Sequence, residues 1–143
     1  MAAKGSTFDN DLLKLIFNAT SIANIAIDAT SSPLTSLYVA LHTASPLAGG
    51  SQTTNEAAYS GYSRVAVTRN SGGWTVTSNS VSPTANILFS EAVSGTETLT
   101  HFSVGTASSG AGKILYFGEI SPSINITTGV SPQLTTATTI TES

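Results

Sequence analysis

The chain has 143 residues, enough for one domain with its own hydrophobic core, and we predict a single domain over residues 1–143. Its net charge is −3 and 9% of its residues are charged, against about 25% in typical globular domains. Nucleic-acid binding needs clustered Lys and Arg, so the composition argues against a nucleic-acid partner. The absence of cysteine excludes disulfides, thiolate metal sites and a cysteine nucleophile.

The low charge also affects the expected assembly of the protein, and the lengths of its apolar runs affect its expected location. Little self-repulsion remains to keep a free monomer soluble, so we expect other copies to cover part of the apolar surface. No stretch approaches the ~20 apolar residues of a membrane-spanning helix, and no signal-peptide pattern is visible. We expect a homo-oligomer with no membrane partner.

The first predicted element is a helix over residues 6–27, within an N-terminal helical segment that we place at residues 1–30. Ser6 or Thr7 is the expected cap, and acidic residues follow in the first turn. Apolar residues form one face at spacings of three and four, and two more widen it: Phe8, Leu12, Leu15 and Ile16, then Leu13 and Phe17. Such a helix packs either on its own sheet or between subunits.

Residues 35–143 have the pattern of β-structure, with short runs rich in Val, Ile, Thr and aromatics between turn residues. The spacing of the turns predicts an antiparallel β-sandwich or barrel. The predicted strands are SLYVALH, YSRVAVTR, WTVTS, ANILFS, TLTHFSVG, KILYFGE, SINITT and QLTTATTIT. A long polar loop over residues 44–59 is a candidate contact region.

The segment VGTASSGAGKILYFG imitates a phosphate-binding loop. A P-loop needs glycine, four residues, then Gly-Lys-Ser/Thr and a helix. Here Ala107 stands five positions before Gly112, Ile114 follows the lysine, and a strand pattern comes next. We therefore predict a hairpin loop and no nucleotide cofactor.

The two histidines, His42 and His101, each lie on a predicted strand, and Glu56 could lie near one of them. Two His and a carboxylate could bind zinc. Their spacing matches no ligand signature, so we predict framework histidines and neither a metal nor another cofactor.

Catalytic patterns are also weak. No Gly-x-Ser-x-Gly elbow is present, and Asp28 is the only aspartate beyond the first helix. The glutamates lack an aromatic-rich setting of the kind that glycoside hydrolysis uses. We predict that the chain is not an enzyme.

The segment NEAAYSGYSRVAVTR concentrates charge and aromatics in a chain otherwise poor in both. Its candidate residues are Glu56, Tyr59, Tyr62 and Arg64. Arg64 can form a bidentate pair with a carboxylate, and Glu56 is the nearest candidate. The group either anchors a loop to the sheet or contacts a subunit or ligand.

Four segments, SLYVALHTASP, TTNEAAYSGYSRVAV, GGWTV and THFSVGTASSGAGKILYFGEI, resemble small structural proteins of tailed bacteriophages and prophages. The resemblance runs from about residue 8 onward. It implies a non-enzymatic virion component assembled in the bacterial cytoplasm, with His42 and His101 as framework residues.

The resemblance leaves the position on the particle open. Compact β-rich proteins of this size serve as capsid cement, often as trimers, or as tail-tip and fibre-base parts. Since the sequence has no shaft or repeat, we favour a trimeric capsid decoration protein bound to the major capsid protein over a tail or tail-fibre protein. A carbohydrate-binding sandwich with Trp74, Tyr59 and Tyr62 as stacking platform is a further alternative.

Overall fold

A computed structural model of the chain describes residues 3–29 and 32–143. Two compact units are present. The helix unit comprises Met1–Ser36, Val67–Asn86 and Thr135–Ser143, and the sheet unit comprises Leu37–Ala66 and Ile87–Leu134. Each unit is therefore built from segments that are distant in sequence. The single domain expected from length stays a prediction.

The regular elements are one helix and nine strands within the described residues. In chain order they are α1 Ser6–Asn18, β1 Ser36–His42, β2 Val65–Thr68, β3 Trp74–Thr77, β4 Ser80–Pro83, β5 Ile87–Leu88, β6 Glu97–Gly105, β7 Ile114–Ile126, β8 Gln133–Leu134 and β9 Ile140–Thr141. The predicted fold class, mainly antiparallel β with one N-terminal helix, is confirmed. The strands form separate sheets of four, three and two strands and not a closed barrel.

A four-stranded sheet in the order β2-β1-β6-β7 positions most of the candidate residues. β1 and β6 are antiparallel, with Val39 opposite Val104 and Leu41 opposite Phe102. These four apolar side chains are buried. Because successive residues of a strand point to opposite faces, His42 lies on the other face, opposite His101.

Strand β7 forms one edge of this sheet, and its pairing with β6 is interrupted twice. The register shifts between Val104 and Gly105 and again between Leu99 and His101. Residues 121–123, Ser-Pro-Ser, fall in the second interruption. Bulges and proline are common means of protecting an edge strand from pairing with other chains.

In the helix unit, α1 packs on the sheet β3-β4-β9. Phe17 and Trp74 meet edge to face with ring centroids 4.9 Å apart. Thr75 lies opposite Ser82 on the sheet, and Trp74 lies opposite Pro83. Because side chains alternate along a strand, Trp74 is directed to the buried face and Thr75 is exposed.

The predicted extent of the helix is wrong. α1 ends at Asn18, where Ala19 adopts a left-handed conformation, and residues 22–26 form a tight turn closed by an Ile22–Ala26 bridge. Asn, Thr and Ser are poor helix formers, so the apolar spacing beyond residue 18 does not sustain a helix. The predicted segment at residues 1–30 also includes positions 1, 2 and 30, which lie outside the described residues.

The predicted cap and helix face are also corrected. Gly5 caps α1 without a side-chain bond; its carbonyl accepts the backbone N–H of Phe8 and Asp9. Leu13 and Phe17 are fully buried, whereas Phe8 is 40% exposed. The residues that had only widened the apolar arc therefore form its centre, since they point toward β3.

Most predicted strands are present, with differences at the short or polar ones. KILYFGE and SINITT belong to the single strand β7, and the C-terminal run forms two short strands, β8 and β9, separated by a turn. Strand β4 was not predicted, because its four residues include two serines and a proline. No helix in the described part of the chain is long and apolar enough to span a membrane.

Candidate functional site

The charged and aromatic residues predicted from one segment meet beside β1 in the sheet unit. Arg64 donates from Nε to Oε1 of Glu56 at 2.7 Å and from Nη2 to Oε2 at 2.9 Å. The Arg64 side chain is 2% exposed and the Glu56 side chain 17%. The bidentate pair expected from the sequence is present, and it is partly buried.

The same guanidinium holds the loop between β6 and β7, residues 106–113. Nη1 donates to the carbonyl of Ala107 at 2.9 Å, and Nη2 donates to that of Gly110 at 2.7 Å. One cation therefore bonds a carboxylate and two loop carbonyls. The hydrogen bonds that Arg64 donates to Glu56, the largest influence, raise the pKa of Arg64, so the arginine remains charged.

Tyr62 connects this pair to strand β1. Its hydroxyl donates to Oε1 of Glu56 at 2.9 Å and accepts the backbone N–H of Leu41 at 3.1 Å. Burial, the largest cause, raises the pKa of Tyr62 far above the usual range, so the phenol stays protonated and can donate. Its ring stacks on Phe89, and the Tyr59 ring meets it edge to face.

Tyr59 anchors the same segment at a second point. Its hydroxyl donates to the carbonyl of Ser90 at 3.0 Å. Its backbone N–H and that of Ala58 bond the carboxylate of Glu97 at 3.0 Å. Burial raises the pKa of this phenol as well. The polar atoms of Tyr59 are therefore used within the fold.

A further participant, Gln52, was not predicted. Its side chain is fully buried; Nε2 donates to the carbonyl of Tyr38 at 3.0 Å, and Oε1 accepts the backbone N–H of Ala107 at 3.1 Å. A side chain added at Gly105 or Gly112 would collide with Gln52. The two glycines thus provide the space in which this amide reaches the backbone. We call Gln52, Glu56, Tyr62 and Arg64 the loop clamp.

His42 ends β1 and is fully buried. Its Nδ1 lies 2.9 Å from the carbonyl oxygen of Thr54, and its Nε2 lies 2.8 Å from the hydroxyl of Ser103. Because a carbonyl only accepts, Nδ1 carries the proton and Nε2 accepts from Ser103. Burial, the largest cause, lowers the pKa of His42.

The His42–Ser103 contact has the distance of a base–nucleophile pair. Both side chains are completely buried, so a substrate cannot reach the hydroxyl without rearrangement of the loop. The carbonyl of Thr54 stands where a catalytic pair would place a carboxylate. This geometry is suited to a structural role, in which the His42 ring connects strand β6 to the loop after β1 through two hydrogen bonds.

His101 lies directly opposite His42 on one side and Glu119 on the other. Its Nδ1 is 2.8 Å from the hydroxyl of Thr100. Within residues 3–29 and 32–143, no group of three His, Asp or Glu side chains is placed to hold a metal ion. The structure places His42 and His101 opposite each other on β1 and β6, and their role as framework residues stays a prediction.

The remaining predicted residues, Trp74 and the apolar residues of α1, belong to the helix unit. Trp74 is 2% exposed, and Tyr59 of the sheet unit is 4% exposed. Neither presents a ring face to solvent, so the proposed carbohydrate platform is not formed. Leu12 is half-buried on α1, while Phe8 is the most exposed of the predicted apolar residues of the helix.

The chain matches one family model over nearly its whole length. The family is described as podophage GP4 fiber I protein gp80, and the match covers residues 6–141. It therefore includes α1, the loop clamp and the strands of both units. No curated protein matches the chain.

Proposed function

Because the chain belongs to the podophage GP4 fiber I protein gp80 family, we propose that it is a non-enzymatic structural component of a phage fibre. The match over residues 6–141 is the observation that carries the proposal. It supports the phage structural role implied by the resemblance. It also favours the tail-fibre alternative over capsid decoration, the position that the sequence had favoured.

The candidate site supports this function through its use of polar groups. In the loop clamp, the guanidinium, the carboxylate, the phenol and the buried amide all bond loop or strand atoms of the same chain. Such an arrangement fixes loop shape and leaves little freedom for proton transfer to a substrate. A fixed loop surface suits a protein that docks to other virion proteins.

Immunogold labelling of intact particles tests the proposed place in the virion. We expect antibodies against the purified chain to label the tail-fibre region. An antibody against the major capsid protein, which labels the head, serves as control. Labelling spread over the capsid surface would support the decoration role instead and contradict the proposal.

We also propose that the protein acts as an oligomer, with a trimer as the expected state. Several large apolar side chains are strongly exposed in the single chain, including Ile25 at 76%, Ile27 at 72% and Val93 at 68%. Exposed apolar groups in a chain with 9% charged residues favour association. Light scattering should give a mass of several chains; a stable monomer at high micromolar concentration would oppose this.

A further inference from the structure

Strand β7 forms an outer edge of the four-stranded sheet, and only part of that edge is protected against pairing with another chain. Residues 121–123, Ser-Pro-Ser, interrupt its second half, and Pro122 has no N–H to donate. Residues 116–119, in its first half, pair with β6 without interruption and include neither proline nor lysine. An edge strand of this kind can accept a further strand.

The direction of the backbone groups in β7 follows from the bonds of β1. The N–H of Leu41 bonds the hydroxyl of Tyr62, and its carbonyl accepts the N–H of Ala57, so Leu41 faces away from β6. In antiparallel pairing, backbone groups alternate between the two sides of a strand. Leu41 lies opposite Phe102, so Phe102 bonds β7 and not β1. Its partner on β7 is Gly118.

The backbone groups of the two neighbours of Gly118 therefore point out from the sheet. Phe117 and Glu119 each present one N–H and one C=O along the free edge. Within the part of the chain that the structure describes, no loop or turn bond uses either backbone. Both residues are exposed, Phe117 at 40%. The edge can thus donate and accept hydrogen bonds at two positions.

These groups match those of a second copy in one antiparallel register, the one centred on Gly118. Each Phe117 then lies opposite Glu119 of the other copy, and the two pairs exchange four hydrogen bonds. A register centred on Glu119 would place two carboxylates directly opposite each other, which is destabilising. A register centred on Phe117 would use Leu115, which lies at a shift in the pairing of β6 and β7.

The other edge of the sheet, β2, is a poor partner for β7. It has only four residues, Val65–Thr68. The carbonyl of Thr68 already accepts the N–H of Asn70 in the turn that follows. Copies of the chain therefore match best when β7 pairs with β7.

We propose that two copies of the chain pair through their β7 edges, antiparallel and centred on Gly118, and so join two four-stranded sheets. The same residues take part from both copies, so the contact has two-fold symmetry. It joins copies in pairs and is distinct from the contact that would form a trimer. Two hydrogen-bonded pairs give a weak contact in solution, which becomes stronger when several copies are held on one particle. The inference does not depend on the proposed place in the virion.

Amide exchange of the wild-type protein, followed by NMR, tests the pairing directly. The chain is measured at about 1 mM, where a contact with a Kd of about 1 mM is well populated. The N–H groups of Phe117 and Glu119 should be protected, and that protection should fall together with the mass from light scattering on dilution. The N–H of Gly118 faces β6 and should stay protected. Exchange of Phe117 and Glu119 without protection at 1 mM, or protection that persists in a single chain, contradicts the proposal.

Two substitutions at one position test the register. Phe117→Lys places an ammonium opposite Glu119 of the other copy and should retain protection of the Glu119 amide. Phe117→Glu places a second carboxylate there and should abolish it. Val93→Lys and Val93→Glu change the net charge equally at another exposed apolar position, so both should keep the protection. The proposed register is wrong if both Phe117 variants keep the protection, or if Val93→Glu also removes it.

Disulfide formation gives a second test, which holds even if Phe117→Glu does not fold. The chain has no cysteine, so every cross-link comes from an introduced thiol. A mixture of Phe117→Cys and Glu119→Cys should form a mixed disulfide, because directly opposite residues have Cα atoms about 5.5 Å apart. Each variant alone should cross-link far more slowly, since its thiols lie on diagonal positions about 7–8 Å apart. Equal rates for the mixture and for either variant alone overturn the pairing.

Discussion

Replacement of Arg64 by alanine should destabilise the protein by about 3–5 kcal/mol, the usual cost of leaving one partner of a buried ion pair alone. The Arg64 side chain is 2% exposed, so water does not replace its bonds to Glu56. The substitution also frees the carbonyls of Ala107 and Gly110. Urea unfolding followed by far-UV circular dichroism measures the change.

Lys113→Ala is the matched control for this variant. It removes the same charge from the chain, and the Lys113 side chain is exposed and takes no part in the ion pairs of the described residues. We expect a change below about 0.5 kcal/mol for this surface substitution. Similar losses for both variants would show that net charge, and not the clamp, is responsible.

A double-mutant cycle with Glu56→Ala isolates the pair itself. Once Arg64 is absent, the Glu56 carboxylate is stranded, and its removal should restore part of the stability. The combined loss should therefore be smaller than the sum of the single losses by at least about 1 kcal/mol. Additive effects of a few tenths of a kcal/mol would mean that Arg64 is an ordinary surface residue.

The parts of this site that could be predicted from sequence are the ones close together in the chain. Glu56, Tyr62 and Arg64 lie within nine positions, in a segment unusually rich in charge and aromatics, so their association was expected. Gln52 and the loop carbonyls were not expected. A backbone carbonyl leaves no mark in a sequence, and Ala107 is 43 residues from Arg64 and 55 from Gln52.

The central strands were predicted closely, but the direction of every side chain was not. β1 and β6 contain β-branched and aromatic residues and are followed by turn residues, which is the pattern of a strand. Trp74 follows two glycines and was considered a candidate for an exposed platform. Its direction is set by pairing with β4 and packing on Phe17, which are tertiary features that the local sequence does not encode.

The end of helix α1 is a second feature that the local sequence does not encode. Apolar spacing continues past Asn18, which led to a helix predicted to residue 27. The carbonyls that close the last turn are instead satisfied by a residue far away in sequence. Arg69 donates from Nε to the carbonyl of Ile16 at 2.6 Å and from Nη2 to that of Leu15 at 2.7 Å. The partners are 53 and 54 residues apart, beyond the reach of pattern analysis.

Replacement of Arg69 by alanine should therefore destabilise the helix unit by about 2–4 kcal/mol. Its guanidinium also bonds Asp28 at 2.6 Å and the carbonyl of Leu34 at 3.2 Å, and its side chain is 11% exposed. The last turn of α1 contains no basic residue of its own, so Arg69 supplies the positive charge that favours a helix C-terminus. Removal leaves the Asp28 carboxylate and the helix carbonyls without this donor.

Trp74 belongs to the same unit and is the only tryptophan, so its fluorescence during urea unfolding reports on the affected region. Lys14→Ala, which removes a charge from α1 itself, should cost less than about 1 kcal/mol because Lys14 takes part in no ion pair of the described chain. Arg69→Lys should recover no more than about half of the loss, since an ammonium lacks the planar fork that reaches several acceptors at once. Full recovery by lysine would mean that charge alone stabilises the end of α1, and equal losses in Arg69→Ala and Lys14→Ala would show that Arg69 does not cap it.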